Sequence, residues 1–319
     1  MGIDPPVPRH GALLIDKPCG PTSHDVVAFS RRLLGTKRVG HTGTLDPLAT
    51  GLLVMLVGHA TRLSQFLVLD EKEYIADIRL GIATPTYDAQ SLEDPRTEVR
   101  RPTPVTSAQV EAVLPDFLGT FPQLPPAYSA KKVEGVRAYE KARKSEPLDL
   151  KPVEVTVRQL ELLSFGPRTS DVDTRDTPLL RLRVVASSGF YVRSLAHDIG
   201  KVLGCGAHLE ALRRTRAGRF RVEDAATLDA LEPAGTGAAR RLVSMNGLLA
   251  DFPAVTLTAE GLQRARNGNT LGPRHLEGTQ GVRPGSDPCR CRVLDASGEV
   301  LSVAERRADG LLHPLLVLR

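Results

Sequence analysis

Apolar and polar residues alternate over "EYIADIRLG", with Tyr74, Ala76, Ile78 and Leu80 on one side and Asp77 and Arg79 on the other. That period of two predicts a half-buried strand with Tyr74 near its start. "LLRLRVVAS" alternates in the same way, and "GLLVMLVG" is a continuous apolar run of strand length, expected to be buried. "GALLIDKP" reads as a short strand stopped at Lys17-Pro18. Helical spacing takes over in "SHDVVAFSRRLLG". Ser23 or Asp25 can begin that helix, Val26, Val27, Phe29 and Leu33 or Leu34 supply its contacts, and Gly35 ends it. "SAQVEAVLPDFLG" predicts a helix ended near Gly119, and "ATRLSQFLV" a short one. In "SGFYVRSLAHDIGKVLG" the chain turns at Gly189 into a helix whose Val192, Leu195, Ile199 and Val202 face the core, with Arg193 off that face. From about Asp251 the pattern breaks into short strand-like runs, with tight-turn signals at Asn267-Gly268 and Ser297-Gly298. Such spacing fits an appended β-barrel of roughly 70 residues with its own core.

Composition narrows the class. With 319 residues, 41% apolar and 25% charged, the chain reads as an ordinary globular protein of two domains. No run approaches the roughly 20 apolar residues that cross a bilayer. The N-terminus "MGIDPPVPRHG" has Pro where a signal peptide needs an apolar core, so a cytoplasmic protein is expected. Cys19, Cys205, Cys289 and Cys291 have no zinc-site spacing, and free thiols without a metal are expected. The formal charge of +5 is compatible with a polyanionic partner. Aromatics at 4%, with no Trp, argue against a broad base-stacking surface.

The positive charge is concentrated. In "AYSAKKVEGVRAYEKARK" the cations Lys131, Lys132, Arg137, Lys141, Arg143 and Lys144 interleave with Tyr128 and Tyr139. A solvated helix and loop would explain this, and so would a phosphate-facing flap. "AHLEALRRTRAGRF" adds Arg213, Arg214, Arg216, Arg219 and Arg221. Thr84 to Pro104 is an excursion from the sheet, and "LEPAGTGAARR" a linker.

"RVGHTGTLDPLATGLLVML" poses the sharpest chemical question. Asp46 stands alone among Gly, Thr, Leu and Pro, and Pro47 pushes it toward an extended backbone. Such an acid is a turn residue or a reagent, and the stretch by itself leaves both open.

These segments together resemble one family closely, the bacterial tRNA pseudouridine synthases of the TruB kind, which modify uridine 55 in the T arm. "GHTGTLDPLATGLL" carries the strongest likeness, with "LLIDKPCGPTSHDVV" before it and "GHATRLSQFL" after it. "KEYIADIRLG", "PPAYSAKKVEGVRAYEKAR" and "SSGFYVRSLAHDIGKVLGCGAHLEALRR" continue it, so that it covers nearly the whole chain from Gly11. The resemblance implies an α+β catalytic domain on a mixed, mostly antiparallel sheet, followed by a PUA domain, a small RNA-binding barrel. The implied division is a tail over 1–10, a catalytic domain over 11–250 with a flap at about 122–152, and the PUA-like domain over 251–319.

Roles follow residue by residue from that resemblance. Asp46 corresponds to the catalytic acid, Arg193 to the cation beside it, and Tyr74 to a tyrosine that stacks on the uracil. For the carboxylate, attack at C1′, addition at C6 and removal of a C2′ proton all remain open. His41 is placed against the opened T loop, Tyr191, Leu212 and Arg214 at the cleft wall, and Lys131 and Lys132 in the RNA-binding flap. Lys17 and Pro18 support the catalytic loop. The reaction moves a glycosidic bond within one nucleotide, so no cofactor and no metal are expected. The implied partner is the T stem-loop of tRNA, met by a single copy of the chain without guide RNA or membrane. Two rivals are a guide-RNA-dependent pseudouridine synthase and a tRNA-folding chaperone. A hydrolase is the poorest fit, since no GxSxG turn is present.

Overall fold

The computed structural model describes residues 10–68, 71–99, 105–129, 131–133, 136–138, 141, 149–166, 177–280 and 289–318. Its centre is a mixed sheet of ten described strands. They are β1 (Gly11–Lys17), β2 (Val39–His41), β3 (Thr50–Val57), β4 (Lys72–Leu80) and β5 (Gly119–Gln123), then β6 (Val153–Gly166), β7 (Leu179–Ala186), β8 (Ala207–Ala217), β9 (Phe220–Arg221) and β10 (Ala226–Thr227). The order is β10-β1-β3-β8-β4-β7-β6-β5, with β2 on β3 and β9 on β8. Only β1–β10 and β3–β8 pair in parallel, so the sheet is mixed and mostly antiparallel.

The apolar run in β3 is explained by what lies on each side. Leu53, Met55 and Val57 enter a core shared with helices α1 (Ser23–Leu34), α2 (Ser107–Val113) and α3 (Val192–Val202). Leu52, Val54 and Leu56 enter a second core on the opposite face. A strand buried on both faces needs no polar alternation. The segment read as a linker is a run of 3-10 turns, Glu232–Arg241, with Ala238 and Ala239 buried in the first core.

Helix α1 begins at Ser23, one of the two starts the sequence offers, and Thr22 caps it. The Thr22 hydroxyl accepts from the Asp25 N–H at 3.1 Å, and the Asp25 carboxylate accepts from the Thr22 N–H at 2.8 Å. This reciprocal cap leaves the Ser23 hydroxyl free for a distant loop. Gly35, at φ 62°, closes the helix as expected.

The C-terminal part holds β11 (Ala254–Leu257), helix α4 (Ala259–Arg266), β12 (Leu276–Gln280), β13 (Cys289–Leu294), β14 (Val300–Arg306) and β15 (Leu312–Val317). These five strands form a sheet of open order, β12-β11-β13-β14-β15, and no closed barrel is formed among the described residues. One isolated bridge, Leu271 to Leu312, ties the segment before β12 to β15. Asn267-Gly268 ends α4 rather than making a hairpin, because the Thr258 hydroxyl caps a helix where strand-like residues were expected. Ser297-Gly298 does turn a hairpin, from β13 to β14, with Asp295 accepting from the N–H groups of Ser297 and Glu299. The sheet has a core of its own around Val255, Leu257, Cys291 and Val293. It also shares the second core: Leu294, Val300, Val303 and Leu316 pack with Leu14, Leu52, Val54 and Leu56.

Candidate active site

The loop between β2 and β3 is a short irregular stretch that must be held from outside. Ser23 on α1 holds its middle, donating to the Leu45 carbonyl at 2.9 Å and accepting from the Leu45 N–H at 2.8 Å. Arg214 on β8 donates to the carbonyls of Gly43 at 3.1 Å, Thr44 at 3.4 Å and Leu52 at 2.7 Å. Lys17, fully buried at the end of β1, donates to the carbonyls of Pro18, Pro21 and Pro47 at 2.8, 2.9 and 3.3 Å. Burial pushes the Lys17 ammonium below its ordinary pKa. Gly51 makes this convergence possible. At φ 97°, its missing Cβ would sit 2.3 Å from the Arg214 carbonyl oxygen, so β3 and β8 meet backbone to backbone beside the loop.

The loop carries Asp46 to the mouth of a cavity of about 230 Å³, lined also by Tyr74, Tyr191, Arg193, Leu212 and Arg214. That is slightly below the range of about 300–1,000 Å³ usual for small-molecule sites, a size suited to one base rather than a large ligand. The strand register explains the grouping. Tyr74 on β4 faces Arg214 across β8, and Leu212 faces Ala76, so all four share the face that looks into the cavity. Arg213 points the other way and grips Asp16 at 3.0 and 2.8 Å.

Arg193 is the cation that meets Asp46. Its Nη2 donates to Oδ1 at 3.1 Å, while Nε lies 2.9 Å from Oδ2 in a geometry too bent for a hydrogen bond. Nη1 donates to the carbonyls of Thr86 at 3.2 Å and Tyr128 at 3.0 Å. The sequence pattern placed Arg193 off the core face of α3. In the fold it is 5% exposed, whereas Val202, expected in the core, is 54% exposed. The cause is tertiary: the turn around Thr86 and the bend at Tyr128 cover the first helical turn, which a periodicity cannot foresee. Tyr191, the N-cap of α3, has no side-chain cap of its own. Gln123 on β5 substitutes, accepting from the Tyr191 N–H at 2.8 Å and donating to its carbonyl at 3.0 Å. Burial raises the Tyr191 phenol above its ordinary pKa.

A second carboxylate, with no signal in the sequence, backs the pair. Asp88 is 1% exposed, and its Oδ2 lies 3.7 Å from Arg193 Nη1. Its other oxygen accepts from the Thr86 hydroxyl at 2.6 Å and the Gln90 N–H at 3.1 Å. Burial raises the Asp88 pKa against the opposing pull of Thr86 and Arg193. Asp88 Oδ2 and Arg193 Nε make no hydrogen bond, although each lies in an ion pair centred on the Arg193 guanidinium. Lys72 also lines the cavity, donating to the Val68 carbonyl at 2.6 Å. Its place two residues before Tyr74 on a strand was a usable signal.

The other expected residues lie around this centre. His41 ends β2 just outside the cavity lining, and its Nδ1 accepts from the Gly43 N–H at 3.3 Å. Burial, with Arg214 nearby, lowers its pKa. Lys131 reaches the Lys151 carbonyl at 3.1 Å at the base of the flap, where residues Lys132–Val133 pair with Val136–Arg137. The expectations for Tyr139, Arg143 and Lys144 fall outside the described residues. Among the described residues, no group of three or more His, Cys, Asp or Glu could hold a metal ion. No described helix is long and apolar enough to cross a membrane.

Comparison with known proteins places this geometry in context. Residues 31–192 match a model described as TruB family pseudouridylate synthase (N terminal domain), and residues 193–244 one described as tRNA pseudouridylate synthase B C-terminal domain. The tRNA pseudouridine synthase B of Solibacter usitatus is 41% identical over 313 residues, 97% of this chain and 99% of that one. Its counterpart from Thermobifida fusca is 43% identical over 309 residues, 96% and 98% of the two chains. Among solved structures, a Cbf5-Nop10-Gar1 complex superposes with a TM-score of 0.69 at 24% identity, over 98% of this chain and 85% of that one. At that identity the likeness concerns the fold.

Proposed function

The chain belongs to the TruB family of pseudouridylate synthases, RNA-modifying isomerases, and from that premise we propose that it converts uridine 55 in the T arm of tRNA to pseudouridine. The observation that carries the proposal is the Arg193–Asp46 pair at the mouth of a base-sized cavity. Asp46 is the reactive carboxylate. Its side chain keeps 35% of its exposure, directed at the cavity, while that of Arg193 is 6% exposed and fixed from behind. A guanidinium so held pairs with the carboxylate and orients it toward the cavity, as a nucleophile or base requires.

In the isomerisation the N1–C1′ bond breaks, the uracil turns within the cavity, and C5 bonds to C1′. The C5 proton leaves and N1 gains one, so atoms and charge balance with no outside reagent. Tyr74 stacks on the base and assists loss of the C5 proton. The target uridine leaves its stack to enter, at a cost of a few kcal/mol, and His41 fills the space it vacates. Lys131 and Lys132 meet phosphates, and the C-terminal sheet serves as the PUA-like RNA-binding part. Identity of 41% and 43% over nearly full length to relatives named for tRNA supports tRNA as the substrate; action without a guide, in the cytoplasm, is part of the proposal.

The deciding experiment incubates the purified chain with an unmodified tRNA transcript and maps pseudouridine by position. Modification at position 55 is expected without added RNA or protein. Asp46→Asn should lose turnover entirely while tRNA affinity stays within a few-fold, since the amide keeps the shape and removes the charge. Turnover near the parent's in that variant would remove Asp46 from the chemistry.

A further inference from the structure

We propose that Tyr87 is a positioning residue for Arg193, acting through a ring stack on His197. The inference rests on the reading of Arg193 and Asp46 as the reacting pair. Among the described residues, Tyr87 is the only non-glycine with positive φ, at 62°. An aromatic residue rarely adopts that backbone, and it persists only where the surroundings impose it.

The surroundings here are identifiable. The Tyr87 ring lies on that of His197, with centroids 4.0 Å apart and planes inclined by 16°. His197 is four residues after Arg193, one turn along α3 on the same side. The residues flanking Tyr87 both face the Arg193 guanidinium. The Thr86 carbonyl accepts from Nη1 at 3.2 Å, and Asp88 Oδ2 stands 3.7 Å from the same nitrogen. The Tyr87 N–H donates to the Thr84 carbonyl, and its own carbonyl accepts from the Leu209 N–H at 2.9 Å, tying the turn to β8.

Three consecutive residues therefore clamp one helix at two levels, the guanidinium by Thr86 and Asp88, and the ring of His197 by Tyr87. A single contact would let the turn pivot on the helix. Two contacts a turn apart fix the Thr86 carbonyl, and through it the direction in which Nη2 meets Asp46. The left-handed backbone at Tyr87 is what sends its side chain to the helix while its neighbours face the cation. Burial raises the Tyr87 phenol and lowers the His197 imidazole, with Asp198 and Lys201 the charged neighbours, so both rings are neutral near pH 7.

The test uses the full chain and a tRNA transcript, with single-turnover rate, tRNA affinity and melting temperature measured together. Tyr87→Ala and His197→Ala should each slow the single-turnover rate by on the order of ten- to a hundredfold, as misplacement of a catalytic pair does. Affinity should stay within about threefold, because neither ring lines the cavity; a purely structural role would move only the melting temperature. Tyr87→Phe should restore the parent rate, and the double alanine variant should be no slower than the slower single one. Tyr87→Gly relieves the backbone yet removes the ring, so it should be slow too; a fast Tyr87→Gly would overturn the stack as the cause. Should Tyr87→Ala not fold, His197→Ala removes the same contact and its rate decides. A parent inert on tRNA overturns the catalytic reading and this assignment with it. An active parent matched by a folded Tyr87→Ala overturns this assignment alone.

Discussion

Arg79 and Arg193 are both withdrawn from water to meet a carboxylate, and the two pairs are finished differently. Arg79 donates to Glu210 twice, at 3.0 and 3.2 Å, and its third nitrogen donates to the Thr177 hydroxyl at 3.1 Å. His208, fully buried, contacts the same carboxylate at 3.3 Å through Nε2 and the Ile82 carbonyl at 2.8 Å through Nδ1. No buried side-chain atom of this group is left without a partner. Around Arg193, in contrast, Nε and Asp88 Oδ2 are held by charge alone without a hydrogen bond, and Asp46 opens to a cavity. A completed network holds the sheet together, whereas an incomplete one keeps binding capacity in reserve at a cost in stability.

Lysine substitution separates the two pairs most sharply. Arg193→Lys cannot offer a planar fork to Asp46 and should lower the single-turnover rate by on the order of a hundredfold, an effect larger than any loss of melting temperature from its freed carbonyl partners. Arg79→Lys should do the reverse, costing about 1–3 kcal/mol of stability through unsatisfied buried groups and leaving the rate of the folded protein intact. If both variants lost rate alike, the distinction between closed and open networks would have no functional content.

Acid sharpens the contrast at a smaller scale. Hydrogen bonds from His208, then Arg79, hold the Glu210 carboxyl at about 2, below its ordinary 4.5. A depressed carboxylate contributes stability that is fully present above its unfolded pKa and is lost as pH falls through the folded one. The parent should therefore lose this contribution between about pH 4.5 and 2. Glu210→Gln should melt lower at neutral pH, with the difference from the parent shrinking across that window. Asp88 has the opposite sign, since its raised pKa means that ionising it opposes folding. Relative to an Asp88→Asn variant, the parent should therefore gain stability as pH falls, the opposite drift to that seen against Glu210→Gln. A constant gap between Glu210→Gln and the parent across the window would disconnect Glu210 from acid stability.

The sequence made one of these pairs legible and hid the other. Asp46 drew attention as a lone acid between Leu45 and Pro47, but that stretch left a turn residue and a reagent both open, and it was the family resemblance that gave Asp46 and Arg193 their roles. Lys17 was legible by the same motif, and its three carbonyl partners give it a physical role. Arg79 was assigned to the polar side of its strand, and by alternation it is there. It is nonetheless 2% exposed, because an irregular register between Leu209 and Ala211 brings Glu210 over it. Asp88 and Tyr87 were lost in an excursion rich in Pro, Asp and Thr, where no periodicity exists to be read. Contacts between residues a hundred positions apart, such as Arg193 with Thr86, depend on the assembled sheet. Strands β4 and β7 were foreseen because a period of two survives in them, while the mixed sheet that joins them was implied by the family resemblance. The C-terminal part was expected to stand on its own core, but one face of it is buried against β1 and β3, whose apolar runs already carried that information.

The smallest expected effect concerns the exposed arginines on the face of the sheet away from the cavity. Arg181 grips Asp77 at 2.7 and 3.1 Å, Arg183 meets Glu73 at 2.7 Å, and Arg158 pairs with Glu71. Each cation there has a local anion, so this face offers little net field to a polyanion, however basic the strands look in sequence. A cation that neutralises a phosphate releases a counterion and adds about one to the slope of log affinity against log salt. Arg181→Gln should therefore leave that slope for tRNA unchanged, whereas Lys131→Ala at the flap should reduce it by about one. Binding measured over a few salt concentrations, with the parent alongside, is sufficient. A slope that falls with Arg181→Gln and not with Lys131→Ala would put the RNA on the opposite side of the sheet from Asp46, and the cavity would then have no route to its base.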